Sequence, residues 1–425
     1  MKKARCLVSS AMAGLLLLLH GEQAHAVQMD FRNTFESYLY YTYSEPLDND
    51  VNPGNQIFDL PTHTGVVDFR DDFNILTKST KWVLRPRWTV TGTETEKKNP
   101  NETDRTSMGK LDLTAGYLDW DLSDKWKAVV GLQVYQWGPG EFINPSNVFF
   151  HFSNDQRSFF FVQKGLVLGR LNWTPSPNWS LVLIDEPISN NEQPFQVEKD
   201  FEPKSTLKIE YHGAGSSFLG AVVGNEGDNR PFFGEYFDWY LTDAFSFYAD
   251  LRHSIGSYSY DPALDGSGYV QLVETNPDSG QMFTIADWGL RYEGRTDFRI
   301  EWFYNGLGWD KDALKYAIQG ITYPNPYLVE NLKRYAHSGL ELPGQNYLYV
   351  SWRIPDLGRK KDASIYMRNI LSMQDQSGVF QFSADKALSD AWTGYFEILS
   401  SYGKEDTELR LLYGIQGSIG LRWAM

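Results

Sequence analysis

Cysteine is almost absent from this sequence, and that scarcity excludes a fold held together by disulfides. The single cysteine, Cys6, lies in the basic amino-terminal string MKKARC. An apolar run from Leu7 to Leu19 follows it, which is too short to cross a bilayer as a helix of the mature protein. We therefore expect residues 1–26 to be a signal peptide cleaved after Ala26. The mature chain, residues 27–425, then contains no thiol.

Long apolar runs and an excess of basic residues are also lacking. No apolar stretch after residue 26 reaches the length of a transmembrane helix, which excludes a helical membrane protein. The chain has 39 Lys and Arg against 54 Asp and Glu, a formal charge of −15, and the predicted signal peptide removes more basic than acidic residues. A nucleic-acid partner requires a basic face, so we predict none.

Signs of catalysis are sparse. The mature histidines show no metal-ligand spacing such as His-x-x-x-His, and the chain has no Gly-x-Ser-x-Gly elbow and no nucleotide loop; these histidines are His63, His151, His212, His253 and His337. We therefore predict no metal, no cofactor and no enzymatic activity. His151 lies near Ser153 and Ser158, which is the only feature that suggests an outer-membrane lipid hydrolase. A loop histidine often lies near a serine by chance, so this alternative is the least favoured.

Aromatic residues are abundant, with 14 Trp and 25 Tyr, and alternating patterns place many of them on one face of extended segments. In residues 408–424 the apolar residues fall on one face and the polar residues on the other, over a length that suits a tilted strand crossing a membrane. We predict an all-β fold, a transmembrane antiparallel β-barrel of about eighteen strands, with sixteen as the alternative. The segments are 28–43, 64–77, 80–93, 108–122, 125–137, 159–174, 178–187, 204–212, 216–224, 230–241, 244–256, 281–293, 296–306, 345–354, 362–374, 377–386, 390–402 and 408–424.

The connections alternate between short turns and long links, which predicts periplasmic turns, outer loops and both termini in the periplasm. The long links are 44–63, 94–107, 138–158, 188–203, 257–280 and 307–344. Pro86 and a phase slip within 111–122 each imply a β-bulge. The link 307–344 has apolar residues at helical spacing and is expected to carry one or two short helices, broken at Pro324 and Pro326.

The predicted inward faces collect many charged residues, which indicates a wet lumen because unpaired ions are costly to bury. One interpretation is that these charges set the selectivity of a pore; the other is that they form ion-pair ladders that brace the wall. The selectivity candidates are Arg85, Arg87, Lys164, Arg170, Arg299 and Glu301.

The segment 138–158 is the least ordinary stretch of the chain, because turn formers directly follow a regular strand. It either folds into the lumen as a constriction loop, with Glu141, Asn144 and Asn147 facing the solute, or caps the barrel rim from outside. The candidate constriction residues are Trp137, Gly138, Gly140, Glu141, Asn144 and Asn147. If the loop folds inward, we expect a basic row on the strands to face Glu141 across the opening.

The overall plan, over nearly the whole mature chain, resembles the porin-type barrels of Gram-negative outer membranes. That resemblance implies a passive channel for ions or small hydrophilic solutes. The string Trp137-Gly138-Pro139-Gly140 also looks like one found in capsule-assembly outer-membrane barrels, which have about eighteen strands. This local similarity implies a second hypothesis, a barrel that binds or exports surface polysaccharide.

The expected partners follow from an outer-membrane location: membrane lipid, lipopolysaccharide, a hydrophilic solute or polysaccharide, and the machinery that assembles outer-membrane barrels. Trp423 is followed by Ala424 and Met425, whereas the usual assembly signal ends on an aromatic residue, so recognition by that machinery is expected to be less efficient. The acidic outer links either hold divalent cations at the lipopolysaccharide surface or are simply solvated.

Overall fold

The structure is a computed structural model. It describes residues 29–98, 101–150, 158–188, 203–213, 215–225, 231–256, 260–264, 270–274, 280–322, 342–405 and 407–425. The predicted signal peptide, residues 1–26, lies outside the described residues and stays a prediction.

Within the described residues there are twenty β-strands and one α-helix, and eighteen of the strands make a single antiparallel sheet. The barrel strands are β1 (Asp30–Pro46), β2 (His63–Leu76), β3 (Thr80–Lys98), β4 (Asn101–Ser123), β5 (Trp126–Gln133), β6 (Leu166–Ser176), β7 (Trp179–Glu186), β8 (Lys204–His212), β9 (Phe218–Asn225), β10 (Pro231–Tyr240), β11 (Phe245–Ile255), β14 (Met282–Glu293), β15 (Asp297–Asn305), β16 (Asn346–Leu357), β17 (Ala363–Ser372), β18 (Gly378–Ala387), β19 (Trp392–Tyr402) and β20 (Tyr413–Ala424).

Each barrel strand pairs with its neighbours in the chain, and β1 pairs with β20 to close the sheet on itself. Closure matters because it leaves no strand edge unpaired, as a β-structure that spans lipid requires. The predicted eighteen-strand barrel is confirmed, and each predicted segment overlaps one barrel strand. Short turns gather at the end that also holds the start of β1 and the end of β20, and the longest links, 134–165 and 306–345 among them, lie at the other end.

The outer face of the barrel is apolar, which is the pattern that lipid imposes. Alternate residues of the strands expose large hydrophobic side chains; examples are Leu84, Trp88, Leu183, Leu290 and Ile419. Aromatic residues gather beside the short turns, where Trp126 stacks on Trp173 with 5.6 Å between ring centroids and Trp179 contacts Tyr211. An apolar belt bordered by aromatic residues identifies a transmembrane barrel of the outer-membrane type and confirms that prediction.

A single bulge accounts for both irregularities predicted from the sequence. Arg85 pairs with Ala115 and Pro86 pairs with Leu113, so that Thr114 is the extra residue of β4. The inserted residue turns Leu111 and Leu113 outward on one side of the bulge and Trp120 and Leu122 outward on the other. Pro86 has no N–H to donate, and the regular pairing of β2 with β3 is interrupted at Arg85 and Pro86.

Five strand boundaries differ from the predictions by four or more residues. The link 94–107 is not a loop, because β3 and β4 continue as a hairpin to residues 98 and 101. Residues 159–165 and 134–137 belong to no strand, so Lys164 does not lie on a strand face as expected. Residues 408–412 contain the 3₁₀ turn Glu408–Arg410 rather than the start of the last strand.

The link after β11 holds an unpredicted hairpin of β12 (Tyr260–Leu264) and β13 (Val270–Glu274). The expected helix in the link after β15 is present as α1 (Lys311–Thr322), and the carboxylate of Asp310 caps it by accepting the backbone N–H of Ala313 at 2.8 Å. Leu314 and Ala317 of α1 are buried with Trp309 and pack near Val270 of the hairpin. The region around Pro324 and Pro326 lies outside the described residues. In the described part of the chain, no helix is both long and apolar enough to cross a membrane.

Candidate functional site

The link between β5 and β6 folds into the barrel, and its described parts are 134–150 and 158–165. We call it the inner loop. Its side chains contact the inward faces of strands far from its own attachment points, on both sides of the lumen. Of the two alternatives drawn from the sequence, the inward-folding loop matches these contacts.

Glu301 of β15 anchors the first part of the inner loop. Its fully buried carboxylate accepts the backbone N–H of Glu141 at 2.9 Å and that of Phe142 at 2.7 Å. The hydroxyl of Tyr248 donates to the same carboxylate at 2.5 Å. A buried carboxyl group needs such donors, because an unsatisfied buried oxygen is costly. Glu301, a selectivity candidate, is therefore covered by the loop that it holds.

Glu141 projects from the loop into a second set of contacts on the same wall. Nε of Arg299 lies 2.9 Å from Oε2 of Glu141. The hydroxyls of Tyr349, at 2.9 Å, and of Tyr366 donate to Oε1 of Glu141. The carboxylate is thereby neutralised by one cation and satisfied by two phenols, which is how a buried charge is tolerated.

Asp250 of β11 anchors the loop at a later point, Ser146. The backbone N–H of Ser146 donates to Oδ1 of Asp250 at 2.6 Å, and its hydroxyl donates to Oδ2 at 2.9 Å. The indole N–H of Trp137 in turn donates to the Ser146 hydroxyl at 3.0 Å. The strand, the serine and the tryptophan form one connected and buried network.

The glycines of the Trp-Gly-Pro-Gly string are required by close approach of the loop to the wall. Gly138 has φ of +94°, and an added Cβ would lie 2.4 Å from Oδ2 of Asp250. At Gly140 an added Cβ would lie 2.3 Å from the carbonyl oxygen of Ile143 and 2.9 Å from Oδ2 of Asp287. These two positions let the backbone lie directly against the acidic strand residues.

Asn144 and Asn147 shape the loop itself. Asn144 and Gly140 exchange two hydrogen bonds of 2.8 Å, and Oδ1 of Asn147 accepts the backbone N–H of Phe150 at 3.0 Å. Asn147 is fully buried and Glu141 nearly so. The expectation that these residues face the solute is wrong for Glu141 and Asn147, because their polar atoms fold and anchor the loop.

Apolar side chains of the loop fill the space between it and the wall. One buried cluster contains Trp137, Phe149 and Phe150 and packs against inward residues of β6 to β10, including Leu168 and Tyr236. A second contains Phe142 and Ile143 with inward residues of β14 to β17; it also comprises Ile285, Phe303, Tyr347, Tyr349 and Ile370. This half of the lumen is therefore packed rather than open.

The second described part of the inner loop, 158–165, lies on the opposite wall; we call it the returning part. Phe160 stacks on Tyr40 of β1 with 4.2 Å between ring centroids, and its carbonyl oxygen accepts a hydrogen bond of 2.8 Å from Arg70 of β2. It occupies the space above Gly420 of β20, where an added Cβ would lie 2.7 Å from the Phe160 ring. Phe159 contacts Tyr395 of β19. The described parts of the loop thus touch the wall on two sides and narrow the lumen.

The predicted basic row lies on β3, β6 and the inner loop, and Arg70 of β2 joins it. Arg87 binds both carboxylate oxygens of the buried Asp68, at 2.9 and 2.8 Å, and Arg70 contacts the same carboxylate at 2.7 Å. Two guanidinium groups therefore share one carboxylate, which leaves the group with an excess positive charge. Arg85 pairs singly with Asp72 at 3.0 Å, and its side chain is 45% exposed, so it remains in contact with water.

The other two basic candidates extend this row. Arg170 donates to the uncharged Oε1 of Gln133 at 2.7 Å, and its guanidinium lies 4.0 Å from the ring centroid of Tyr135. Lys164, in the inner loop, lies 3.8 Å from Asp112 of β4 and is 40% exposed. The row is therefore built from strand residues and one loop residue.

The charged groups of the two walls differ in exposure. The carboxylates of Asp250, Asp287 and Glu301 are fully buried beneath the inner loop, whereas Arg85 and Lys164 keep substantial exposure to the lumen. The expected opposition of Glu141 and the basic row is wrong, because Glu141 pairs with Arg299 on its own wall. Within the basic row, the excess of positive charge comes from Arg70 and Arg87, which share Asp68, and from Arg170.

Sequence reasoning singled out Glu301 as an inward residue but connected neither Glu301 nor Asp250 with the loop. It missed the tyrosine donors Tyr248, Tyr349 and Tyr366, although strand alternation places each on the inward face. Phe160 gave no signal, because its position was assigned to a strand. Of the residues considered for catalysis, His151 and Ser153 lie outside the described residues.

Comparison with known proteins gives the fold. No family model matches the chain, and no curated protein matches it by sequence. Among solved structures, it is similar to Pseudomonas aeruginosa OccK7 (OpdD), at 9% identity and a TM-score of 0.53 over 93% of this chain and 99% of that one. Acinetobacter baumannii OccAB3 matches at 11% identity and a TM-score of 0.51 over 93% and 99%. P. aeruginosa OccK2 (OpdF), solved in complex with glucuronate, matches at 11% identity and a TM-score of 0.50 over 93% of this chain and 98% of that one.

These structures cover nearly all of the chain, and their low identity restricts the conclusion to architecture. The likeness confirms the predicted porin-like fold, an eighteen-strand outer-membrane barrel. An inward loop that narrows a wet lumen, with buried acids on one wall and partly exposed bases on another, is an arrangement that can select hydrophilic solutes by size and charge.

Proposed function

We propose that this chain is a passive outer-membrane channel for ions and small hydrophilic solutes, and that it favours solutes carrying negative charge. The observation that carries the proposal is the inner loop, which is anchored on both sides of the lumen by Glu301, Asp250 and Phe160. A loop held in this way reduces a wide barrel to a passage of limited size without closing it by a separate domain.

The preference for negative charge follows from the unbalanced positive charge of the basic row. Arg70 and Arg87 share Asp68, and Arg170 is bonded to the neutral Gln133, so these two groups each bring a surplus positive charge. On the opposite wall, the carboxylates of Glu301 and Asp250 accept hydrogen bonds from loop N–H groups instead. Fixed positive charge in a narrow passage raises the local concentration of anions. Glucuronate, which one structural neighbour binds, is a hydrophilic anion of the expected size class.

Planar bilayer recordings of the purified, folded protein test the channel. Discrete conductance steps, with anions more permeant than cations in a KCl gradient, are the expected result. Liposome swelling should be faster in glucuronate than in a neutral sugar of similar size. Silence of a protein that still shows heat-modifiable migration would overturn the proposal, and retention on a capsule-like glycan would then favour the polysaccharide barrel.

Other expectations remain proposals at this stage. The apolar belt requires contact with membrane lipid, whereas association with lipopolysaccharide and with the assembly machinery rests on the predicted location. The absence of enzymatic activity also stays a prediction. The proposed channel needs neither a cofactor nor a catalytic group, because passage down a gradient requires no chemistry.

A further inference from the structure

We propose that His63, Glu94 and Glu96 form a binding site for a divalent transition-metal ion on the outer surface of the barrel. Each residue offers one ligand atom, and these atoms all lie within 4.8 Å of one another. Nε2 of His63 lies 4.0 Å from Oε1 of Glu96. Small side-chain rotations would bring the three atoms to the spacing that one ion at about 2.0–2.2 Å from each ligand requires.

Strand pairing fixes the three residues on one face. His63 begins β2 and pairs directly with Glu94 of β3, and Glu96 lies two residues further along the same strand, so it points to the same side. Tyr43 pairs with His63 in the opposite neighbour, β1, and is 44% exposed on the outside of the barrel. The site therefore faces outward, at the end of the barrel that carries the long links.

The histidine is already oriented as a metal ligand requires. The hydroxyl of Tyr41 lies 2.5 Å from Nδ1 of His63, and the rings of Tyr41 and Tyr43 lie 6.0 and 5.4 Å from the imidazole. A ligating histidine normally has its second ring nitrogen hydrogen-bonded, which fixes the ring and its tautomer. Here that bond leaves Nε2 directed at the two carboxylates.

The charge balance favours a cation. Glu94 is paired with Arg105 of β4 at 2.7 Å through Oε2, so one positive charge opposes the two carboxylates and a net negative charge remains. One imidazole nitrogen and two carboxylate oxygens suit Zn²⁺ and its neighbours in the transition series. Three protein ligands leave at least one coordination position open toward the outside.

Zn²⁺ binding to the purified barrel tests the site. The full mature chain, refolded in detergent, carrying no histidine tag and stripped with chelator, is titrated with Zn²⁺ against a chromophoric indicator. We expect one saturable equivalent. His63→Gln and Glu96→Gln should each weaken binding at least about tenfold, and Tyr41→Phe, which removes the orienting hydroxyl, should weaken it by about tenfold to a hundredfold.

A second outward pair provides the matched control. Nε2 of His253 on β11 lies 3.9 Å from Oε1 of Glu235 on β10. Within the described residues, this pair is not part of a three-residue ligand cluster. His253→Gln should leave Zn²⁺ binding unchanged. Heat-modifiable migration verifies that each variant is folded. No saturable equivalent in the native chain, or equal binding by folded His63→Gln and Glu96→Gln, would overturn the site.

Discussion

Arg299 of β15 places its Nε 2.9 Å from Oε2 of Glu141, and this ion pair joins the barrel wall to the inner loop. Both side chains are largely buried, with 15% and 10% exposure. Arg299 also contacts Asp297 at 3.3 Å, whereas Glu141 also accepts hydrogen bonds from two tyrosines. The pair therefore contributes to holding the loop against one wall, and its coupling energy can be measured.

The first prediction is a double-mutant cycle. Glu141→Gln and Arg299→Gln should each lower the free energy of unfolding, because each leaves a buried partner charge with reduced compensation. The double variant should recover part of the loss, with a coupling energy of about 1–3 kcal/mol. Urea-dependent folding into lipid vesicles measures these free energies. Additive effects would show that the two groups do not act as a pair.

Gly140 gives the second prediction. Gly140→Ala should displace the inner loop, because the added Cβ would lie 2.3 Å from a backbone oxygen that cannot rotate away. The barrel should still form, and its single-channel conductance should rise and become noisier. Gly169→Ala is the matched control, since no atom lies within 4 Å of a Cβ added there. A Gly140→Ala channel with native conductance would mean that the loop does not narrow the passage.

Phe160 gives the third prediction, for the opposite wall. Phe160→Ala should remove the stack on Tyr40 and the filling of the space above Gly420, at a cost of about 3–5 kcal/mol. The returning part of the loop should loosen and the conductance should increase. Phe380→Ala, which truncates an exposed outward ring, is the control. Equal loss of stability in both variants would contradict a specific role of Phe160 in holding the loop.

Glu408 gives the fourth prediction, a dependence on pH in the link between β19 and β20. Burial raises the pKa of Glu408 to about 7, with Asp375 adding to the increase and a hydrogen bond from Tyr347 opposing it. A raised pKa means that the folded link binds this proton more tightly than the unfolded chain. The link is therefore most stable at low pH, and that stability is lost as pH rises from about 4.5 toward 7 and above.

A spin label can report this change, since the mature chain is predicted to contain no cysteine. Glu405→Cys places a unique label beside Glu408, and its mobility should increase between pH 5.5 and pH 8. Adding Glu408→Gln should abolish the pH dependence, because the amide does not ionise. A pH response that persists with Glu408→Gln would assign it to another group.

The barrel could be predicted because its controlling pattern is local. A strand that separates lipid from a wet lumen must alternate every second residue, and this signal survives in each of the eighteen segments. One error arose where alternation continues past the sheet. Leu409 and Leu411 keep the phase of β20, yet Glu408 is bound by Asp375 and Tyr347 and holds the chain in a 3₁₀ turn. Alternation alone does not mark where pairing ends.

The site was less predictable because its contacts join distant parts of the chain. The Trp-Gly-Pro-Gly string signalled an unusual loop, but not that Asp250 and Glu301 would hold it. The ligand cluster of His63 and Glu94 was missed for the same reason, since its members come from different strands and show no spacing along the sequence. Register between strands, rather than spacing, brings these groups together.

The last prediction concerns Arg85 and Arg87, which both project into the lumen from β3. Arg87 shares Asp68 with Arg70, so its removal leaves a neutral pair, whereas removal of Arg85 leaves Asp72 without its 3.0 Å partner. Arg85→Ala with Arg87→Ala should therefore shift ion preference toward cations. One charge at 4 Å in water is worth about 1 kcal/mol, which corresponds to a change of about fivefold in the permeability ratio.

Reversal potentials in a KCl gradient measure this ratio. Arg85→Lys with Arg87→Lys keeps the charge and should behave like the native channel. Arg32→Ala, which removes an exposed arginine near the short-turn end, is the second control. The shift should shrink in 1 M salt, where screening acts over about 3 Å. Failure of the alanine variant to assemble would show that these arginines brace the wall. Unchanged selectivity in a conducting alanine variant would place the selective constriction elsewhere in the lumen.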